Sequence, residues 1–133
     1  MKWLAIVLIA LSAPCAAQTA ASGSKAKKLA PDELKTLLDR KDICFLDVRE
    51  PKELDDLGTI KGYVNIPLGQ LESRYQELPK DKLIVTACNH GVRASRAAEI
   101  LEKHGYKTAG ACGILEWKEK NYPVVYPKDT VKK

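Results

Sequence analysis

Cys88-Asn89-His90-Gly91-Val92-Arg93 places a thiol, a glycine and a permanent cation within six residues, a set suited to nucleophilic chemistry on an anionic substrate. An ordinary cysteine thiol ionises near a pH of about 8.5, and a helix N-terminus, a ring of amides and a nearby guanidinium each favour the thiolate, which is the nucleophile. Arg93 supplies the charge. Gly91 suits a tight loop in which backbone approaches a ligand closely or takes a positive φ. No acidic residue lies between Cys88 and Arg93, where it would oppose both the thiolate and an anionic substrate. The plainer alternative is that Cys88 is a small buried hydrophobe at a strand end.

The flanking elements favour the activated thiol. Leu83-Ile84-Val85-Thr86-Ala87 is a short β-branched run of strand type, and Ala94, Ala97, Ala98 and Leu101 form one apolar stripe of a helix ending near Gly105. A loop between a buried parallel strand and a helix N-terminus turns its amides inward, toward a developing negative charge. Elsewhere the pattern predicts a helix over Pro31 to Arg40, strands at Ile43 to Val48 and Tyr63 to Ile66, and a helical turn around Lys52 to Asp56 between those strands. An apolar face at Leu71, Tyr75 and Leu78 stops at Pro79, a short strand follows near Lys107 to Ala111, and a last helix covers Ile114 to Lys120. Strands alternating with helices predict a parallel α/β sheet covered on both faces, with ligands at the carboxyl ends of its strands.

Four ordered motifs resemble those of single-domain rhodanese (thiosulfate sulfurtransferase) proteins, from about residue 29 to residue 122. Cys88-x-x-Gly91-x-Arg93 is similar to their active-site loop, and Phe45-Leu46-Asp47-Val48-Arg49-Glu50-Pro51 to their first core strand. Gly58-Thr59-Ile60-Lys61-Gly62-Tyr63-Val64-Asn65-Ile66-Pro67-Leu68 resembles their Gly-His-Ile-x-Gly-Ala-x-Asn-Ile-Pro segment, and Gly113-Ile114-Leu115-Glu116-Trp117 the end of their Gly-Gly-x-x-x-Trp motif. The chain departs from that pattern at Thr59 (usually His), Tyr63 (Ala), Ala94 (Ser) and Cys112 (Gly), and the stretch from Arg49 to Gly58 is one residue longer.

The resemblance implies a three-layer α/β/α domain with a central, mostly parallel five-stranded sheet. It also implies a sulfurtransferase that moves sulfane sulfur from thiosulfate or a similar donor to cyanide or a thiol through a persulfide on Cys88. The amides of Asn89, His90, Gly91, Val92 and Arg93 would cradle that sulfur, and Arg93 would hold the anionic donor. Related phosphatases and arsenate reductases separate Cys from Arg by five residues; the count of four here favours the sulfur cargo. A non-catalytic interaction or sulfide-sensing module is the alternative from another class. No metal or organic cofactor is implied, and the partners expected are small sulfur donors, thiol or cyanide acceptors and a protein sulfur acceptor.

With 133 residues, 45% hydrophobic and 29% charged, the chain has material for one domain. Lys2, the apolar run Trp3 to Leu11 and the small residues ending in Cys15-Ala16-Ala17 have the layout of a secretory signal over residues 1–17, too short for a membrane span of about 20 residues. Residues 18–28 then read as a flexible leader, 29–126 as the domain and 127–133 as a basic tail. The expected product is secreted to the periplasm, off the membrane after cleavage. The net charge of +5 comes with Lys-rich ends too sparse, and too poor in aromatics, for nucleic-acid binding.

Cleavage leaves Cys44, Cys88 and Cys112, an odd count whose spacings of 44 and 24 residues fit no Cys-x-x-Cys metal or redox motif. Cys44 reads as core. In the resembled fold, the strand before Cys112 neighbours the strand before Cys88 and both end on the same face of the sheet. Cys112 is therefore a candidate resolving thiol, set against the reading of a small residue at a glycine position. Asp47 and Arg49 read as a structural pair, His104 as a helix-end residue and Trp117 as core, while His90 lies in the loop and either tunes the thiolate or faces solvent.

Overall fold

In the structure, a computed structural model, residues 26–130 are described. The proposed signal, most of the leader and the last three residues of the tail lie outside them. Among the described residues no helix is long and apolar enough to cross a membrane.

Among the described residues four strands form one all-parallel sheet: β1 (Ile43–Asp47), β2 (Val64–Asn65), β3 (Leu83–Cys88) and β4 (Thr108–Gly113), in the order β2-β1-β3-β4. Side chains alternate across the sheet, so each central strand feeds two cores and reads as a nearly continuous apolar run. Cys44, Leu46, Ile84 and Cys88 join one core, with Leu71 of α3 (Leu71–Arg74) and Ala94, Ala97 and Leu101 of α4 (Val92–Lys103). Phe45, Val85, Ala87 and Cys112 join the other, with Leu34 of α1 (Pro31–Leu38) and Ile114 and Trp117 of α5 (Ile114–Glu119). The small alanines on α4 let it lie close against β3, where Thr86 Oγ1 donates to the Ala94 carbonyl at 2.7 Å.

Among the described residues the sheet has four strands rather than the expected five. At the β4 edge, Lys28 makes one parallel bridge to Ala111, closed by Leu29 N–H to Ala111 O and Ala111 N–H to Lys27 O, both 2.8 Å. Pro31 then starts α1 and turns the chain off the sheet, so the bridge extends no further. The same bridge ties down Lys27 and Lys28, within the segment read as leader. The other boundaries shift by a few residues: β4 runs on through Cys112 to Gly113, and the Leu71 to Leu78 face splits into α3 and a 3-10 turn at Tyr75–Glu77. Within the segment read as tail, Pro127–Thr130 forms a short helix, α6, whose Lys128 N–H donates to Asp55 Oδ1 at 3.1 Å. Asp55 lies on α2 (Pro51–Leu57), which begins with Pro at its first turn and a capping box between Glu50 and Glu53.

Candidate active site

Cys88 is the last residue of β3, an inner strand, and only three residues separate it from the first residue of α4. Gly91 makes so short a connection possible: it caps α4 with φ +94° and ψ −11°, a left-handed conformation that a side chain disfavours. That turn points two amides at the sulfur. Gly91 N–H donates to Cys88 Sγ at 3.0 Å and Ala94 N–H at 3.4 Å. The cradle therefore reaches one residue past Arg93, because Ala94 sits in the first turn of α4, where amides have no helical acceptor. Sulfur at this position receives partial positive charge from fixed donors, which suits an anion formed on it.

The loop is pinned from several sides. Asn89 Oδ1 accepts from Arg49 Nη1 at 3.1 Å, Asn89 Nδ2 donates to Glu53 Oε1 at 3.2 Å, and the Asn89 carbonyl accepts from Leu115 N–H at 3.2 Å. Asn89 thus spends its side chain on the scaffold. Gly113 packs directly beneath: a Cβ there would lie 2.8 Å from the Asn89 carbonyl oxygen and 3.2 Å from His90 Cα. Gly113→Ala is accordingly expected to cost about 1–3 kcal/mol of stability by overpacking against backbone, measurable by urea denaturation.

Behind the loop lies a fully buried polar group. Arg49 donates through Nε and Nη2 to both carboxylate oxygens of Asp47, at 2.9 and 2.7 Å, and through Nη2 to the Gly58 carbonyl at 2.8 Å. Thr59 Oγ1 donates to Asp47 Oδ2 at 2.7 Å, so the residue standing in place of histidine is committed to this network. Among the described residues every buried side-chain nitrogen and oxygen has a partner. Asp47 and Arg49 therefore connect the end of β1 to Asn89.

Arg93 is held by an acid that the local sequence does not announce. Its Nη1 and Nη2 donate to Glu53 Oε2 and Oε1 at 2.9 and 2.8 Å, a bidentate pair bringing together residues forty positions apart. Glu53 also accepts from Glu50 N–H at 2.9 Å. The Arg93 hydrogen bonds hold the Glu53 carboxyl down at about 2, against an ordinary 4.5. A lowered carboxylate contributes stability that is complete above its unfolded value and is lost as pH falls toward the folded one, so this pair persists throughout the neutral range. A second cation, Lys28, pairs with Glu116 at 2.8 Å near the loop. A carboxylate three residues past a capping Glu was the available sign of Glu53; nothing local marked its partner.

The remaining residues sort by position. His90 is exposed, and Val92, the first residue of α4, is 78% exposed. His104 ends α4, stacks on Tyr75 and meets Glu72 at 3.0 Å, and Trp117 is buried with its Nε1–H on the Pro123 carbonyl. The geometry does not bring Cys112 to Cys88. The β3–β4 register sets Cys112 beside Ala87 and Gly113 beside Cys88, so the two thiols point to opposite faces and join different cores. A disulfide needs converging Cβ vectors, which this register denies. Burial also pushes the Cys112 thiol up, away from the nucleophilic form. After oxidation, a non-reducing peptide map is expected to show no Cys88–Cys112 disulfide, and Cys112→Ala to cost about 1 kcal/mol at most for its small cavity.

Parallel strands covered on both faces, with a thiol at the carboxyl end of an inner strand under the amides of a helix N-terminus, define an α/β domain whose geometry suits covalent chemistry on cysteine. Within that class, the chain belongs to the rhodanese-like domain family, whose model matches residues 30–120. It is 47% identical over 77 residues to the uncharacterized protein YqhL of Bacillus subtilis, spanning 55% of this chain and 59% of YqhL. A sulfurtransferase of Allochromatium vinosum is 31% identical over 94 residues, covering 69% of this chain and 87% of that protein. A rhodanese-related protein of Thermoplasma volcanium has a similar crystal structure, with a TM-score of 0.63 at 35% identity over 75% of this chain and 96% of that one.

Proposed function

We propose that this protein is a sulfurtransferase that carries sulfane sulfur on Cys88, with thiosulfate or a similar compound as donor and cyanide or a thiol as acceptor. The observation that carries the reading is the cradle at Cys88, where Gly91 and Ala94 amides meet Sγ in a loop with four residues between Cys88 and Arg93. The Cys88 thiolate attacks the outer sulfur of thiosulfate. A bond forms between Sγ and that sulfur, the bond to the sulfonate sulfur breaks, and sulfite leaves with the electron pair. The persulfide anion then lies under the same two donors, which fit charge at this depth in the loop. An acceptor nucleophile takes the outer sulfur and returns the thiolate, giving ping-pong kinetics.

The proposal includes export, supported by Lys2, the apolar run Trp3 to Leu11 and the small residues up to Ala17. The test of the chemistry is direct. Incubation with thiosulfate followed by intact-mass and peptide mass spectrometry is expected to show a gain of one sulfur atom on the Cys88 peptide. An unmodified peptide with every sulfane donor tried would instead support the non-catalytic interaction module.

A further inference from the structure

The charges around Cys88 are paired before any substrate arrives. Arg93 and Lys28 both lie within electrostatic reach of the Cys88 sulfur, and each already holds a carboxylate, Glu53 and Glu116 respectively. The Arg93 pair is the tighter arrangement. It is bidentate, its carboxylate is fixed further by Glu50 N–H and Asn89 Nδ2, and Glu53 is only partly exposed. A guanidinium so engaged presents little net charge to an incoming dianion, because the field of Glu53 cancels most of its own beyond the pair. Next to it in the chain, Val92 opens α4 with an exposed apolar side chain.

Resting on the sulfur-transfer reading above, we infer that Glu53 sets donor choice: by holding Arg93 it turns the Cys88 loop away from oxyanion donors such as thiosulfate and toward organic persulfides. A persulfide carries at most one charge on its reacting sulfur and brings a carbon skeleton that Val92 can touch. The step balances without any other reactant. The Cys88 thiolate attacks the outer sulfur of R–S–SH, the new Sγ–S bond forms, the S–S bond of the donor breaks, the thiolate RS⁻ leaves with the electron pair, and the proton stays on the transferred sulfur as Cys88–S–SH. Glu53 is a positioning residue here, acting through Arg93.

The test measures second-order rates of sulfur loading on Cys88 by intact mass, with thiosulfate and with cysteine persulfide, in the full chain and in Glu53→Gln. Glutamine keeps the capping box of α2, since its side-chain oxygen and amide serve that position. Releasing Arg93 is expected to raise the thiosulfate-to-persulfide rate ratio about tenfold. A purely structural effect would move both donors together, so a ratio rising less than about threefold, or falling, overturns the inference. A readout without substitution uses salt: the thiosulfate rate of the wild-type protein is expected to hold within about twofold as ionic strength rises. A steep fall marks an uncompensated cation and overturns it too. Loading from neither donor sinks the sulfur-transfer reading itself, whereas loading with an unmoved ratio sinks only the assignment of donor.

Discussion

Cys88→Ser is expected to lower kcat/KM for sulfur transfer from thiosulfate to cyanide by on the order of a thousandfold or more, with the fold retained. A serine hydroxyl in this position is no substitute for a thiolate. It stays protonated at neutral pH, and oxygen forms no persulfide, so the intermediate itself is lost. Stability is a separate matter. Cys88 is 2% exposed, and its side chain accepts two amide N–H bonds that a serine oxygen would accept as well. The remaining cost is that of one buried hydroxyl hydrogen seeking an acceptor, about 1–2 kcal/mol, which a melting curve resolves from unfolding. Turnover above about a tenth of wild type in the serine variant would show that another group carries the sulfur.

Arg49→Met is expected to destabilise the domain by about 3–5 kcal/mol, the usual cost of removing one partner from a buried ion pair. Asp47 and Arg49 are both fully buried, and Arg49 alone makes four side-chain hydrogen bonds, two to Asp47, one to the Gly58 carbonyl and one to Asn89. Methionine matches the apolar stem but leaves the Asp47 carboxylate with Thr59 as its remaining side-chain donor. Against a total stability of about 5–15 kcal/mol, the loss is severe, and the melting temperature should fall by on the order of 20 °C. Because Asn89 also loses its Arg49 contact, kcat/KM should fall in the protein that remains folded. A denaturation midpoint corresponding to a loss below about 1 kcal/mol would show that the pair contributes no more than an exposed one.

The strand, turn and helix around Cys88 were legible because their signals are local. A β-branched run, a thiol, a glycine needing a left-handed backbone and an alanine stripe occur in order along twenty residues, and each acts through neighbours a few positions away. The structural character of Asp47 and Arg49 was legible for the same reason, as opposite charges two residues apart at a strand end.

The five-stranded expectation came from the resemblance. The chain bears it out only as far as a bridge at Lys28, where proline at position 31 takes the backbone into a helix. Cys112 was ambiguous because its orientation depends on register. Side chains alternate, so moving β4 by one residue against β3 would have turned Cys112 toward the face that Cys88 occupies.

Sequence alone therefore marked the thiol at the strand end, the turn that sets its sulfur under helix-end amides and the alternation of strands and helices that puts it at the carboxyl edge of a sheet. Tertiary structure decided the charge that a substrate meets there. The loop contains no acid, yet α2 delivers Glu53 to Arg93, and the bridge at β4 holds Lys28 where it pairs with Glu116 of α5. Coulomb interactions follow distance in space rather than position along the chain, and only the packed fold sets those distances.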